Sequence, residues 1–237
     1  MSHLQECSTL HSQGCSTLNP QEGSTLHLPG LAEERRLWAQ GYMRIAGLDE
    51  AGRGAWAGPV VAGAVILPPA LPELAQLLAP VRDSKLLTPH RREICYDLIT
   101  AHALAYGVGF VSAEEIDRIG ILPATRQAMC LALESLSASP DYLLIDALRL
   151  PQVSLPQMGI IKGDRDHLSI AAASIVAKVT RDRWMRALDE RLPGYGLSRH
   201  KGYGTREHLA ALRALGPSAE HRHTFAPIRR VCEAQHA

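Results

Sequence analysis

The sequence predicts an α/β fold with a three-stranded antiparallel start and parallel additions, on three observations. Apolar strand-like runs are interspersed with segments of helical spacing. Two of the runs, Arg44 to Glu50 and Pro59 to Leu67, are joined only by a Gly-rich turn, as in an antiparallel pair. The short runs "DYLLID" and "MGIIKGD" come later, after helical segments.

The elements follow in order. The first thirty residues repeat Ser-Thr-Leu at a period of eight in a Ser-, Gln- and Gly-rich setting, too polar and too few to bury a core. They read as a disordered leader or as the product of a start codon placed too early. A short amphipathic helix fits Leu31 to Gln40, before the two strands already named. "PPALP" breaks the second strand, "LTPHRREICYDLITAHA" has helical spacing, and Ala105 to Val111 reads as a third strand. Ser112 with Glu115 forms a capping box that opens a helix. A longer helix is expected from about Pro123 to Leu136. "DYLLID" is a buried strand ending at Asp146, and "MGIIKGD" a short one ending at Asp164. The long helix "LSIAAASIVAKVTRDRWMRALDERL" stops at Pro193-Gly194, and the last forty residues read as helical pieces and loops, including a helix capped by Thr205 and ended by Gly216-Pro217. The expected units are therefore a leader over 1–30, an α/β domain over 31–190 and a helical C-terminal segment over 191–237.

Composition bounds the function. The 237 residues, 46% hydrophobic and 21% charged, suit a soluble domain of ordinary size plus an appendage. There is no apolar run of about 18 residues and no signal peptide, so no membrane role is expected and the cytoplasm is the default location. The five cysteines are scattered without a CxxC pair, which argues against a zinc site or a disulfide framework. The net charge of +1 hides an asymmetry: 13 Lys/Arg against 18 Asp/Glu up to Ala177, then 12 against 6 with five histidines. An acidic centre beside a basic segment suits a site holding cations and a polyanion together, although a solvated basic tail has the same composition.

Three expected strands finish in acid: at Asp49-Glu50, Asp146 and Asp164. Carboxylates about 4 Å apart at an effective dielectric near 20 repel by roughly 4 kcal/mol. Such a cluster calls for protons or hard divalent cations, and two such ions can flank a phosphodiester. Solvated loop acids are the alternative reading. Neighbouring side chains in a regular strand face opposite ways, so the first strand is expected to end or distort at Asp49-Glu50. Gly52 and Gly54 can let backbone approach a ligand, with Arg53 between them able to reach a phosphate. "DSK" and "HKGYGT" are polar, basic loops suited to nucleic-acid backbone or to plain solvent.

In this order and near this spacing, "GLDEAGRGAWAGPVVAGAVIL", "DSKLL", "LLIDAL", "KGDRDHLSIAAASIVAKVTRDRWM" and "HKGYGTREHLAALRALGPSAEHRHTFAP" resemble ribonuclease HII, over roughly Arg35 to Arg229. The resemblance implies a ribonuclease H-like fold: a central mixed five-stranded sheet flanked by helices, with a small helical C-terminal segment. It implies a metal-dependent endoribonuclease that cuts the RNA strand of RNA–DNA hybrids and incises 5′ of single ribonucleotides in duplex DNA. Two Mg²⁺ or Mn²⁺ ions would be held by Asp49, Glu50, Asp146 and Asp164, with Asp166 a rival to Asp164. Gly52, Arg53 and Gly54 would contact the 2′-hydroxyl, and Tyr203 would sense the junction between ribonucleotide and deoxyribonucleotide. Lys85, Lys178 and Lys201 are expected phosphate contacts, more from charge than from family detail. A monomer is the family-based expectation. Ala147 stands where many relatives carry Gly. A different ribonuclease H-like nuclease would share the acids but not "DEAGRG" with "HKGYGT", and a non-catalytic hybrid binder would tolerate their loss.

Overall fold

The computed structural model describes residues 28–69, 71 and 73–235, so nearly all of the repetitive leader lies outside the described residues. In chain order the elements are α1 Ala32–Ala39, β1 Ile45–Ala51, β2 Val60–Ile66, α2 Leu74–Leu77, a 3₁₀ turn Ser84–Leu86, α3 Pro89–His102, β3 Ala105–Val111 and α4 Ala113–Ile119. Then come α5 Ile121–Glu134, β4 Tyr142–Asp146, β5 Gln157–Ile160, α6 Gly163–Asp166, α7 Leu168–Arg191, α8 Leu197–His200, α9 Arg206–Leu215 and α10 Ala226–Gln235.

The five strands form one mixed sheet in the order β3-β2-β1-β4-β5. β1, β2 and β3 pair antiparallel, and β4 and β5 are added in parallel. β2 is buried along its whole length, which is why "VVAGAVI" lacks the alternation of a half-exposed strand. The two faces carry separate cores. Val65, Leu67, Cys95, Ile99 and the apolar side of α7 make one, and Leu48, Ile66, Ile116, Met129 and Ile145 make the other with α5.

α7 is the central pillar. Its first ten residues, Leu168 to Ala177, are buried on every side, as befits "LSIAAASIVA". It lies so close to the sheet that a Cβ on Gly63 would stand 2.4 Å from the Ala173 carbonyl oxygen. Its N-terminus is held by buried Glu34 of α1, whose carboxylate accepts from Ser169 N (3.0 Å) and Ser169 Oγ (2.7 Å), the favoured sign at that end. Its far half anchors a third apolar cluster, in which Met185 and Leu188 meet Ala57, Tyr195, Leu212 and Ile228.

Four local expectations change. The strand expected to reach Asp164 ends at Ile160, because Lys162 takes a left-handed conformation (φ 59°) that no strand continues through, and Asp164 sits on the turn α6. α5 begins at Ile121 rather than Pro123 and ends at Glu134. Ser112 does cap α4, accepting from Glu115 N at 3.2 Å, but the Glu115 carboxylate pairs with Arg118 (2.6 Å). Finally, β1 neither ends nor distorts at Asp49-Glu50: its pairing with β2 continues through Glu50↔Ala62 to Ala51↔Val61. What stops there is β4, whose last residue is Asp146.

Candidate active site

Where β4 stops, β1 runs on. Leu48 is registered against Ile145, so Asp49 and Asp146 are the next residues on two adjacent parallel strands. Asp49 also pairs with Gly63, which places it on the α7 face of the sheet, and it is 4% exposed. Its Oδ1 accepts from Glu50 N at 2.7 Å. Asp146 Oδ1 accepts from Gly163 N at 2.8 Å, tying the end of β4 to α6 and bringing buried Asp164 to the same edge.

The electrostatics describe one cluster. Burial pushes Asp49 well above the usual carboxylate range, and Glu50, Asp146 and Asp164 push it further. Glu50 is raised by burial and by Asp146, against the pull of Arg53 at 3.4 Å. Asp146 is raised by burial and by Asp164, against the Gly163 N–H. Lys85, presented by the 3₁₀ turn after Asp83 caps its backbone N–H (2.9 Å), reaches Asp164 at 3.4 Å. Burial opposes the charge on Lys85, but Asp164, Asp83 and Asp49 outweigh it and raise its pKa. Asp166, the rival to Asp164, turns instead to Arg165 (3.0 Å).

Among the described residues no group of three or more His, Cys, Asp or Glu side chains stands ready-made around a metal position. The carboxylate oxygens are engaged by Glu50 N, Gly163 N, Arg53 and Lys85. The donor chemistry nonetheless fits a hard divalent cation: oxygen ligands only, mutually repelling and held partly desolvated.

The Gly-rich loop leaves β1 at this cluster. Gly52 has φ +88°, and a Cβ there would strike the Arg181 guanidinium, so the fold itself requires glycine. Gly54 is different: a Cβ there meets nothing within 4 Å, so nothing inside the molecule demands a glycine. The Arg53 side chain is half exposed. Tyr203 is 36% exposed, with Lys178 and Arg181 at 5.7 and 5.5 Å from its ring centre. Lys178 is bound to Asp182 (2.6 Å), and Lys201, in a left-handed conformation, bonds its own neighbour Ser198 O. Both lysines and Tyr203 line a cleft of about 380 Å³ that also takes in Arg92, Arg186 and Arg199.

Sequence reasoning missed what fastens these loops. Fully buried Arg181 donates to Pro59 O (2.9 Å), Ala57 O (3.0 Å) and Lys201 O (2.9 Å). Fully buried Arg222 donates to Gly58 O (2.9 Å) and Arg53 O (3.0 Å). Each spends its charge on backbone carbonyls of the Gly-rich loop, and Arg181 ties that loop to "HKGYGT". An arginine buried on backbone looks like a surface arginine in sequence; the only hint was the dense "HRHTF".

The model for the family Ribonuclease HII matches residues 46–228. Ribonuclease HII of Dehalococcoides mccartyi is 55% identical over 201 residues, covering 85% of this chain and 94% of that protein. Ribonuclease HII of Chloroflexus aurantiacus is 56% identical over 201 residues, covering 85% and 95%. The crystal structure of ribonuclease H2 from Pyrococcus horikoshii superposes with a TM-score of 0.67 at 27% identity, over 81% of this chain and 98% of that one. Identity of that depth along nearly the whole length of both relatives is decisive: the chain belongs to the ribonuclease HII family.

Proposed function

We propose that this endoribonuclease cuts the RNA strand of RNA–DNA hybrids, and cuts 5′ of single ribonucleotides in duplex DNA, at the carboxylate edge formed by β1, β4 and α6. The observation that carries the assignment is the convergence there of Asp49, Glu50, Asp146 and Asp164, with Lys85 reaching Asp164 at 3.4 Å. These four residues would hold the divalent ions on which the family depends, two Mg²⁺ or Mn²⁺ in the substrate complex, with Asp49 the residue that feels the charge of all three others. When bound, the ions supply water activation and neutralisation of the phosphate. Water adds to the scissile phosphorus and the P–O3′ bond breaks, leaving 5′-phosphate and 3′-hydroxyl ends.

The remaining residues read and hold the substrate. The Gly52–Gly54 backbone recognises the 2′-hydroxyl, the one group separating RNA from DNA at a single position. Gly54 supports this reading because its open side leaves room for close approach. Tyr203 stacks on the next sugar, where a second 2′-hydroxyl fits poorly. Lys178 and Lys201 face phosphates from the cleft they line. Among the described residues no helix is long and apolar enough to cross a membrane, and we place the enzyme in the cytoplasm as a monomer over residues 31–190 and 191–237.

The test is a labelled DNA duplex with one embedded ribonucleotide beside an all-DNA duplex, each with Mg²⁺, Mn²⁺ or EDTA. A single metal-dependent nick 5′ of the ribonucleotide, absent from the control, is the expected result. Equal cutting of both duplexes would defeat the 2′-hydroxyl readout, and binding without cutting in either metal would defeat the catalytic assignment.

A further inference from the structure

Three buried histidines lie beneath Tyr203. His208 and His221 are fully buried and His200 is 9% exposed. The His200 and His208 rings stack at 4.4 Å, and His208 Nε2 meets His221 Nε2 at 3.0 Å. Two facing ring nitrogens bond only if one carries a proton and the other does not. The remaining partners decide which. His221 Nδ1 lies 2.9 Å from Ser218 Oγ, which can donate or accept, and 3.0 Å from the Ser218 backbone N–H, which can only donate and so decides: Nδ1 accepts and the proton sits on His221 Nε2. His208 Nε2 therefore accepts, leaving the His208 proton on Nδ1. That atom is 3.0 Å from the Tyr203 carbonyl oxygen, which can only accept. His200 completes the layer, donating from Nε2 to Tyr195 O (2.8 Å) and accepting at Nδ1 from Gly202 N (3.2 Å).

Every ring nitrogen in the layer thus has one fixed role, and the chain Ser218 N–H → His221 → His208 → Tyr203 O runs in one direction. We infer that His208 and His221 are positioning residues for substrate selection: as a neutral, directional relay they set the backbone of Tyr203, and so the pose of its exposed ring at the junction. Neither ring reaches the surface, so their effect on substrate passes through Tyr203. Burial, helped by repulsion from the neighbouring histidine and opposed by hydrogen bonding to backbone, lowers both pKa values to about 4, so the relay is neutral at pH 7. The inference rests on the role given to Tyr203 above.

Two measurements test it. Long-range ¹H–¹⁵N correlation spectra of the full chain should show His208 as the Nδ1–H tautomer and His221 as the Nε2–H tautomer at pH 7. The opposite tautomer on either ring overturns the relay. The second compares His208→Asn, whose side-chain amide can still donate to Tyr203 O, with His208→Leu, which cannot, beside Tyr203→Ala. The readout is the ratio of kcat/KM on a single-ribonucleotide duplex to that on a continuous hybrid. His208→Leu should change that ratio roughly fivefold, the size of one net hydrogen bond, through KM rather than kcat, and His208→Asn should restore most of it. If Tyr203→Ala shifts the ratio and folded His208→Leu does not, the inference is wrong. If Tyr203→Ala leaves the ratio untouched, the role of Tyr203 itself falls, while the spectra still judge the relay. Should His208→Leu fail to fold, His221→Gln against His221→Leu repeats the comparison one ring further back.

Discussion

At the scale of single residues, the proposed catalytic role of the carboxylate edge sets chemistry against stability. Asp49 is buried among Glu50, Asp146 and Asp164, and its ionised form is disfavoured by all of them. Asp49→Asn removes that charge yet keeps an oxygen to accept from Glu50 N. Turnover should be lost, while the metal-free protein unfolds at a higher temperature, because the buried carboxylate's penalty is gone. A variant that cuts, or a less stable metal-free variant, would contradict this account. The next residue after Asp146 carries the opposite lesson. Ala147 sits at φ +51°, in the left-handed region, while its N–H donates to Ile160 O at 2.9 Å. A glycine there would avoid the Cβ penalty of about 1 kcal/mol. Ala147→Gly should therefore gain up to roughly 0.5 kcal/mol in urea unfolding, the loss of chain stiffness offsetting the rest of the relief.

At the scale of elements, the distance between α7 and the sheet decides where the acids stand. Gly63 lies opposite Asp49 in the β1–β2 ladder, and Ala173 of α7 lies directly over it. Gly63→Ala must push the helix away, costing roughly 1–3 kcal/mol or more, with activity falling as Asp49 moves relative to Asp164. Gly54→Ala is the control: with open space around it, stability should change by less than about 0.5 kcal/mol while incision at ribonucleotides weakens. Equal losses of stability in the two variants would refute the distinction between a packing glycine and a reading glycine.

At the scale of the whole molecule, the C-terminal segment and the Gly-rich loop are one unit stitched through backbone. Trp56 N donates to Gly202 O (2.8 Å), Arg222 N to Trp56 O (2.8 Å) and Gly58 N to Glu220 O (2.8 Å), and Arg181 and Arg222 close the same seam from within. The neutral histidines inside it make stability depend on pH. In the unfolded chain they titrate near 6.5; folded, they stay neutral down to about 4. Their contribution is whole above pH 6.5 and falls as the pH drops from 6.5 towards 4, because the unfolded state takes up protons that the folded rings refuse. By pH 5 the loss is roughly 2 kcal/mol per ring. Chemical unfolding between pH 7 and 5 should show this slope, and a His208→Asn/His221→Gln double variant should flatten it. Parallel slopes in the two proteins would exclude the histidines as its source.

The sequence alone carried the order of the strands and of the main helices, the antiparallel start with parallel additions, and the ribonuclease HII kinship. Those features are written in local periodicity, turn chemistry and motif order, which survive in one dimension. Asp49, Glu50 and Asp146 were legible for the same reason, as acids at the end of apolar runs. Tertiary structure alone decided that β1 continues past β4, because which of two neighbouring strands stops first depends on register and not on composition. It decided that Asp164 sits on a turn, through the left-handed Lys162. It also decided that Arg181, Arg222, His208 and His221 are interior residues. Polar side chains in the core are stabilised by partners distant in sequence, Arg222 by Arg53 O and Gly58 O and His221 by His208, and only the folded chain brings those partners within reach.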